Sequence, residues 1–215
     1  MNDISEYLSK TESAVAHVFH GIEDLVMPLR TLRNPMLVGI GDPEDCLEQW
    51  LAENGAEIAR SLEIQRKYVA ELTAIETLCG GILQMAYHAI AHCSGNLVMP
   101  DNLTGIVKAK VGREQLAPFA VGRAVCGLPL GLVVYVGRNQ YAHHDEPELR
   151  ATNAALLQYM LAHREPRDLL HLRADEQTLR DGAEPRNLAK AFVDTLRWRT
   201  YEDYRKDLIA CLGNV

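Results

Sequence analysis

The sequence predicts an all-α fold, a helical bundle of about five to seven helices, from three observations. Apolar residues recur at spacings of three and four along nearly the whole chain. Gly, Pro, Asn and Asp gather in a few short stretches that punctuate this pattern. With 215 residues, 47 % of them hydrophobic and 24 % charged, the chain has enough material for a large core.

The elements follow in order. Leu8, Val15, Val18, Phe19, Ile22, Leu25, Val26 and Leu29 form the apolar stripe of a first helix, with a bend expected near Gly21 or Pro28. In "GIGDPEDC" Asp42 can cap a second helix, Pro43 suits its first turn, and Glu44 and Asp45 suit its dipole. Cys46, Leu47, Trp50 and Leu51 continue that stripe to Asn54-Gly55. It resumes with Ile58, Leu62, Tyr68, Val69, Leu72, Ile75 and Leu78, and the pattern is compatible with a run through Gly80-Gly81 to His92. "CSGNLVMPDNLTG" reads as a loop by composition, and "GIVKAKV" as a short strand. Further helices are expected over Glu114 to Cys126, from Pro129 through "YVGRNQYAHHDE", over Pro147 to His163, and over Arg186 to Leu212, while "RADEQTLRDGAEPRN" is polar and loop-like. The main bundle is expected over 1–165, with 166–215 a C-terminal helical extension packed on the same domain.

Several classes of protein are disfavoured at once. The longest apolar candidate, Ala124 to Val136, has 13 residues and is interrupted by Gly127, Pro129 and Gly131, so no uninterrupted run spans a bilayer. The polar, acidic start "MNDISEYLSK" is unlike a signal or transit peptide, and five scattered cysteines without CxxC read as reduced thiols. A cytoplasmic protein without membrane partners is the expectation. A net charge of −7 argues against general nucleic-acid binding, but Gly105 to His144 is basic, with five bases against one acid. Lys108, Lys110, Arg113 and Arg123 in that segment are candidate RNA-binding residues. "LVGIGDPED" lacks the third glycine of a dinucleotide loop, and no other cofactor is expected.

The chemistry concentrates at "RNQYAHHDE". An apolar stretch ends there on Arg138 and Asn139, with four residues between Arg138 and His143. Arg164 and His171 form a similar pair with six residues between, but without the asparagine and with Glu165-Pro166 following. With its apolar helix, this motif resembles the signature of the HEPN superfamily of all-α ribonucleases and ribonuclease-derived proteins. That signature is an arginine, often followed by asparagine, with four to six residues before a histidine. The resemblance is specific over about 114–163.

The resemblance implies a HEPN-like homodimer in which two copies of the motif meet across a two-fold axis. It also implies metal-independent endoribonuclease activity on RNA, in a toxin-like defence or stress role with a cognate inhibitor or antitoxin as a further partner. Arg138, Asn139 and His143 are the catalytic candidates it assigns. A histidine can take the 2′-OH proton or protonate the leaving 5′ oxygen, and a guanidinium fork can hold the charge growing on the phosphate. The products would be a 2′,3′-cyclic phosphate and a 5′-hydroxyl. Asn139 would orient His143 or hold the phosphate, with His144, Tyr141 and Asp145 in supporting places. In toxins silenced by nucleotidylation a tyrosine stands two residues after the histidine, and here that position holds Asp145.

Geometry qualifies these roles. Asn139 and His143 are four apart and share a helical face, whereas Arg138 and His143 lie roughly 140° apart around a regular helix. They converge only if the helix loosens or ends between them, or if two chains contribute. The apolar Leu128 to Val136 gives a separate reason to expect a dimer. Two rival readings carry different chemistry. A HEPN-fold module without catalysis would bind RNA or protein. A metal-dependent helical-bundle enzyme would use His88 and His92, four apart, or His17 and His20, three apart, although neither pair has a Glu-x-x-His.

Overall fold

Helical periodicity is realised as seven α-helices among the residues that the computed structural model describes, 3–32, 42–103, 113–145, 151–163 and 187–213. The helices are α1 (Ile4–Arg30), α2 (Pro43–Cys93), α3 (Arg113–Leu116, continued by a 3-10 turn at Ala117–Phe119), α4 (Leu130–Ala142), α5 (Ala151–Ala162), α6 (Ala189–Leu196) and α7 (Tyr201–Leu212). The sheet is minimal, with β1 (Ala124–Val125) paired antiparallel to β2 (Leu128–Pro129). The expected strand "GIVKAKV" and the helix start at Pro147 lie outside the described residues.

Asp42 starts α2 as its position suggests. Its Oδ1 accepts from the backbone N–H of Glu44 at 2.9 Å and its carbonyl from Cys46 at 3.0 Å, which satisfies donors the first turn leaves open. The helix then continues for 51 residues without a break at Asn54-Gly55 or Gly80-Gly81. A glycine costs a helix interior only about 1 kcal/mol, and Asn54 turns its amide back onto the Trp50 carbonyl at 2.9 Å. By length and composition α2 is long and apolar enough to cross a membrane. Counting only uninterrupted apolar runs conceals this, because the small and polar residues within the helix dilute each run.

Two expected helices are corrected. The helix over Glu114 to Cys126 stops at Leu116, and the chain turns through Ala117–Phe119 into the hairpin. Cys126 and Gly127 both have positive φ, 47° and 77°, the signature of a two-residue type I′ turn whose twist suits paired strands. The helix over Arg186 to Leu212 is broken in two. Arg197 is left-handed (φ 61°), and Thr200 opens α7 with a capping box in which Thr200 and Asp203 satisfy each other's backbone N–H.

The chain divides into two compact units, one of residues 1–20 with 76–215 and the other of residues 21–75. The first holds most of the buried side chains, including Tyr7, Phe19, Ile82, Leu83, Ile90, Leu116, Phe192, Tyr204 and Leu208. Tyr7 donates its hydroxyl to the Met85 carbonyl at 2.8 Å, pinning α1 to α2 in this unit. Helix α4 is central, packing on α6, α5, the 3-10 turn and the hairpin. Leu128, Leu130, Leu132, Val133, Val134 and Val136 are all fully buried within one chain. The apolar stretch that suggested a dimer therefore finds its cover intramolecularly. In the second unit Ser61 and Ile75 are buried, and Leu47, Leu51, Leu62 and Val69 are exposed.

Candidate active site around Arg138

The site begins where α4 changes character. After the buried Val136 and Gly137 come Arg138, half-buried, then Asn139 and Gln140, both buried. A buried polar side chain needs a partner to offset its lost hydration. Gln140 takes a structural one, its Oε1 accepting from the Leu188 backbone N–H at 2.9 Å just ahead of α6. Asn139 serves Arg138, its Oδ1 accepting from Arg138 Nη1 at 2.9 Å.

Arg138 is held from three directions. Besides Asn139, Gln84 of α2 accepts from Nε at 2.8 Å, and the guanidinium lies 4.9 Å from the centre of the Tyr87 ring. That ring is itself fixed, stacked on Phe119 at 4.8 Å, with Tyr135 of α4 edge-on to Phe119 at 5.2 Å. A cation over an aromatic face gains about 0.5–2 kcal/mol. More to the point, two hydrogen bonds and a ring face fix the plane of the fork while committing two of its five N–H groups. Gln84 and Tyr87 were not among the residues singled out from sequence. A glutamine between Leu83 and Met85, three residues before a tyrosine, was the available signal.

Helix α4 ends at Ala142, and His143 is its C-cap with φ −129° and ψ 25°. The helix thus ends between Arg138 and His143, one of the conditions for the two side chains to converge. Among the described residues, the bonds Arg138 makes go to Gln84 and Asn139. His144 is exposed, its Nδ1 is 2.8 Å from the Tyr141 carbonyl, and its ring stacks with Tyr141 at 6.2 Å. A carbonyl only accepts, so Nδ1 carries the proton of the neutral ring and Nε2 keeps its lone pair. Tyr141 lies against Gly80 of α2 so closely that a side chain there would collide with its ring. Asp145 is exposed.

The other candidates disperse. Arg123 donates Nε and Nη2 to the two carboxylate oxygens of Asp207, at 3.0 and 2.9 Å, and Nη2 also to the Leu196 carbonyl at 2.6 Å. Its geometry is that of a structural clamp on the α6–α7 connection, which includes Trp198 donating Nε1 to Asp207 at 2.8 Å. Lys108 and Lys110 lie outside the described residues, and Arg113 is the first residue of α3. His88 and His92 stack at 6.0 Å and are exposed, with His88 Nε2 2.7 Å from the Gln84 amide nitrogen. His17 directs Nδ1 at the Ser13 carbonyl at 2.6 Å. Among the described residues no three His, Cys, Asp or Glu side chains gather as a metal site would need.

The chain matches no family model, no curated protein and no solved structure. Chemistry at Arg138 therefore rests on geometry alone. The arrangement offers a pre-oriented guanidinium, a buried amide behind it and two histidines at the end of the same helix. Such a group set can hold a phosphate and move a proton beside it.

Proposed function

We propose that the chain is a metal-independent endoribonuclease of the HEPN type, acting as a homodimer. The observation that carries the reading is the fixed Arg138 fork, set by Gln84, Asn139 and the Tyr87 face at the end of the helix that leads to His143. Orientation prepaid in the free protein is what makes a charge stabiliser effective when charge develops on phosphorus. RNA supplies the nucleophile. The 2′-oxygen gives its proton to a histidine and bonds to phosphorus, and the 5′-oxygen leaves and takes up a proton. Arg138 balances the charge gathered on the non-bridging oxygens.

His143, the C-cap of the helix that carries Arg138 and Asn139, is the proposed proton carrier. A specific observation supports His144 as a second reading, since the Tyr141 carbonyl fixes the tautomer in which Nε2 can accept a proton. The test uses purified protein on single-stranded RNA and on DNA of the same sequence, with EDTA present. RNA should be cut to 2′,3′-cyclic phosphate ends and DNA left intact. His143→Ala should lower the rate by about 10² to 10⁴, the range for losing a general acid or base, and His144→Ala by under about tenfold. The reverse order assigns the role to His144. RNA bound but not cut identifies a binding module, and cleavage lost on chelation overturns the metal-independent mechanism.

A further inference from the structure

Gln84 joins two side chains that the sequence assigns to rival chemistries. Its Oε1 accepts from Arg138 Nε at 2.8 Å, and its Nε2 lies 2.7 Å from His88 Nε2, one turn further along α2. An arginine Nε–H only donates, so the amide oxygen must face Arg138 and the NH2 must face His88. That NH2 also donates, so His88 Nε2 must offer a lone pair. The ring is then neutral, with its proton on Nδ1.

We infer that Gln84 is the positioning residue of Arg138 and that its grip depends on the charge of His88. A proton taken from solvent by His88 Nε2 turns that atom into a donor. Gln84 then has donors at both ends and one oxygen to offer. It can keep Arg138 and abandon His88, or turn its amide over, satisfy His88 and present an NH2 to a guanidinium that cannot accept. The second arrangement leaves Arg138 with Asn139 and the Tyr87 face but without the bond at Nε, which sets the roll of the fork about its stem. Among the described residues, the titratable and charged groups facing His88 are His92, stacked at 6.0 Å, Tyr87, edge-on at 5.9 Å, and Arg138 of α4, reached through Gln84. His88 thus acts on the site through Arg138, as a modulator of position and not as a metal ligand.

The consequence for catalysis rests on the ribonuclease reading; the coupling itself does not. Isotope-labelled full-length protein is titrated between about pH 8 and pH 5, the range in which histidine changes charge. The His88 ring and the Arg138 Nε–Hε resonance are followed by NMR. In the wild type the two should move with one midpoint. In Gln84→Glu a carboxylate accepts from both neighbours at once, so the Arg138 resonance should hold steady. In His88→Phe it should be insensitive to pH in that range. Where cleavage is observed, kcat/KM of the wild type should fall about tenfold further on acidification than that of Gln84→Glu, the scale of one charge-assisted hydrogen bond. An Arg138 resonance that stays still while His88 titrates, or that moves equally in His88→Phe, overturns the inference. Coupling without cleavage overturns the ribonuclease reading alone, and cleavage without coupling overturns the positioning role alone.

Discussion

Replacing Gly137 by alanine sets two opposing effects against each other. Glycine costs a helix interior about 1 kcal/mol relative to alanine, so propensity favours Gly137→Ala. Against it stands Phe192 of α6. A Cβ on Gly137 would lie 2.7 Å from Phe192 Cγ and 3.0 Å from its Cβ and Cδ1. Ordinary contact starts at 3.4 Å, so the ring must retreat by about 0.7 Å, and it is fully buried with no solvent to move into. Overpacking of this kind costs about 1–3 kcal/mol. After the gain in propensity, the net loss is about 0–2 kcal/mol, or up to about 8 °C in Tm for a chain of this size. Gly81→Ala supplies the control, since nothing lies within 4 Å of a Cβ there. It should gain up to about 1 kcal/mol. Thermal melts by circular dichroism, with urea midpoints at constant m-value, measure both. A Gly137→Ala protein that melts above the wild type, as Gly81→Ala should, would show that α4 and α6 are not packed as described.

The clamp between α6 and α7 and the thiols give two further expectations. Asp207→Ala strips Arg123 of its carboxylate and leaves the buried Trp198 Nε1–H without its acceptor. The loss should be about 2–3 kcal/mol by denaturant unfolding, whereas a change under about 0.5 kcal/mol would remove the clamp from the stability argument. None of the five cysteines is in a disulfide, and burial pushes the thiols of Cys79 and Cys211 up to about 12. Native protein at pH 8 should therefore be alkylated first at the half-exposed Cys46, with Cys79 and Cys211 labelled only on unfolding. Because both folded values lie above the unfolded thiol's, their contribution to stability is fully present below about pH 8.5 and is lost as pH rises toward 12. Unfolding midpoints that rise between pH 9 and 11 would contradict that sign.

The sequence made the helices legible wherever spacing alone decides them, as at Asp42-Pro43 and along Leu130–Ala142. It misled where a local backbone device overrides spacing. Glu114 to Cys126 carries helical periodicity, yet Cys126-Gly127 is better served by a turn with two positive φ angles. Arg186 to Leu212 reads as one stripe until Thr200 and Asp203 are recognised as a capping box. At the site, Arg138 and Asn139 stood out because polar residues interrupt an apolar helix. Gln84 and Tyr87 did not, because their importance comes from side-chain contacts between α2 and α4, a juxtaposition that no local pattern encodes. The dimer argument from Leu128 to Val136 failed for the same reason, since the cover came from elements distant in sequence.

Aromatic rings seated on glycines give the motif a mechanical asymmetry. Phe192 closes on Gly137 and Tyr141 on Gly80, so α4 is gripped on both sides of Arg138 where neither backbone has a side chain to spare. Rotation or sliding of that helix would drive ring atoms into main chain, and the arginine is in effect anchored to the rigid frame. The histidines belong to the other regime. His143 already has non-helical backbone angles, and His144 is tethered by one bond to the Tyr141 carbonyl. A ligand at this site would meet an arginine fixed by the packing around α4 and histidines placed by the backbone that ends it. Selection for speed would then act on the residues after Ala142, and selection for geometry on the two glycines.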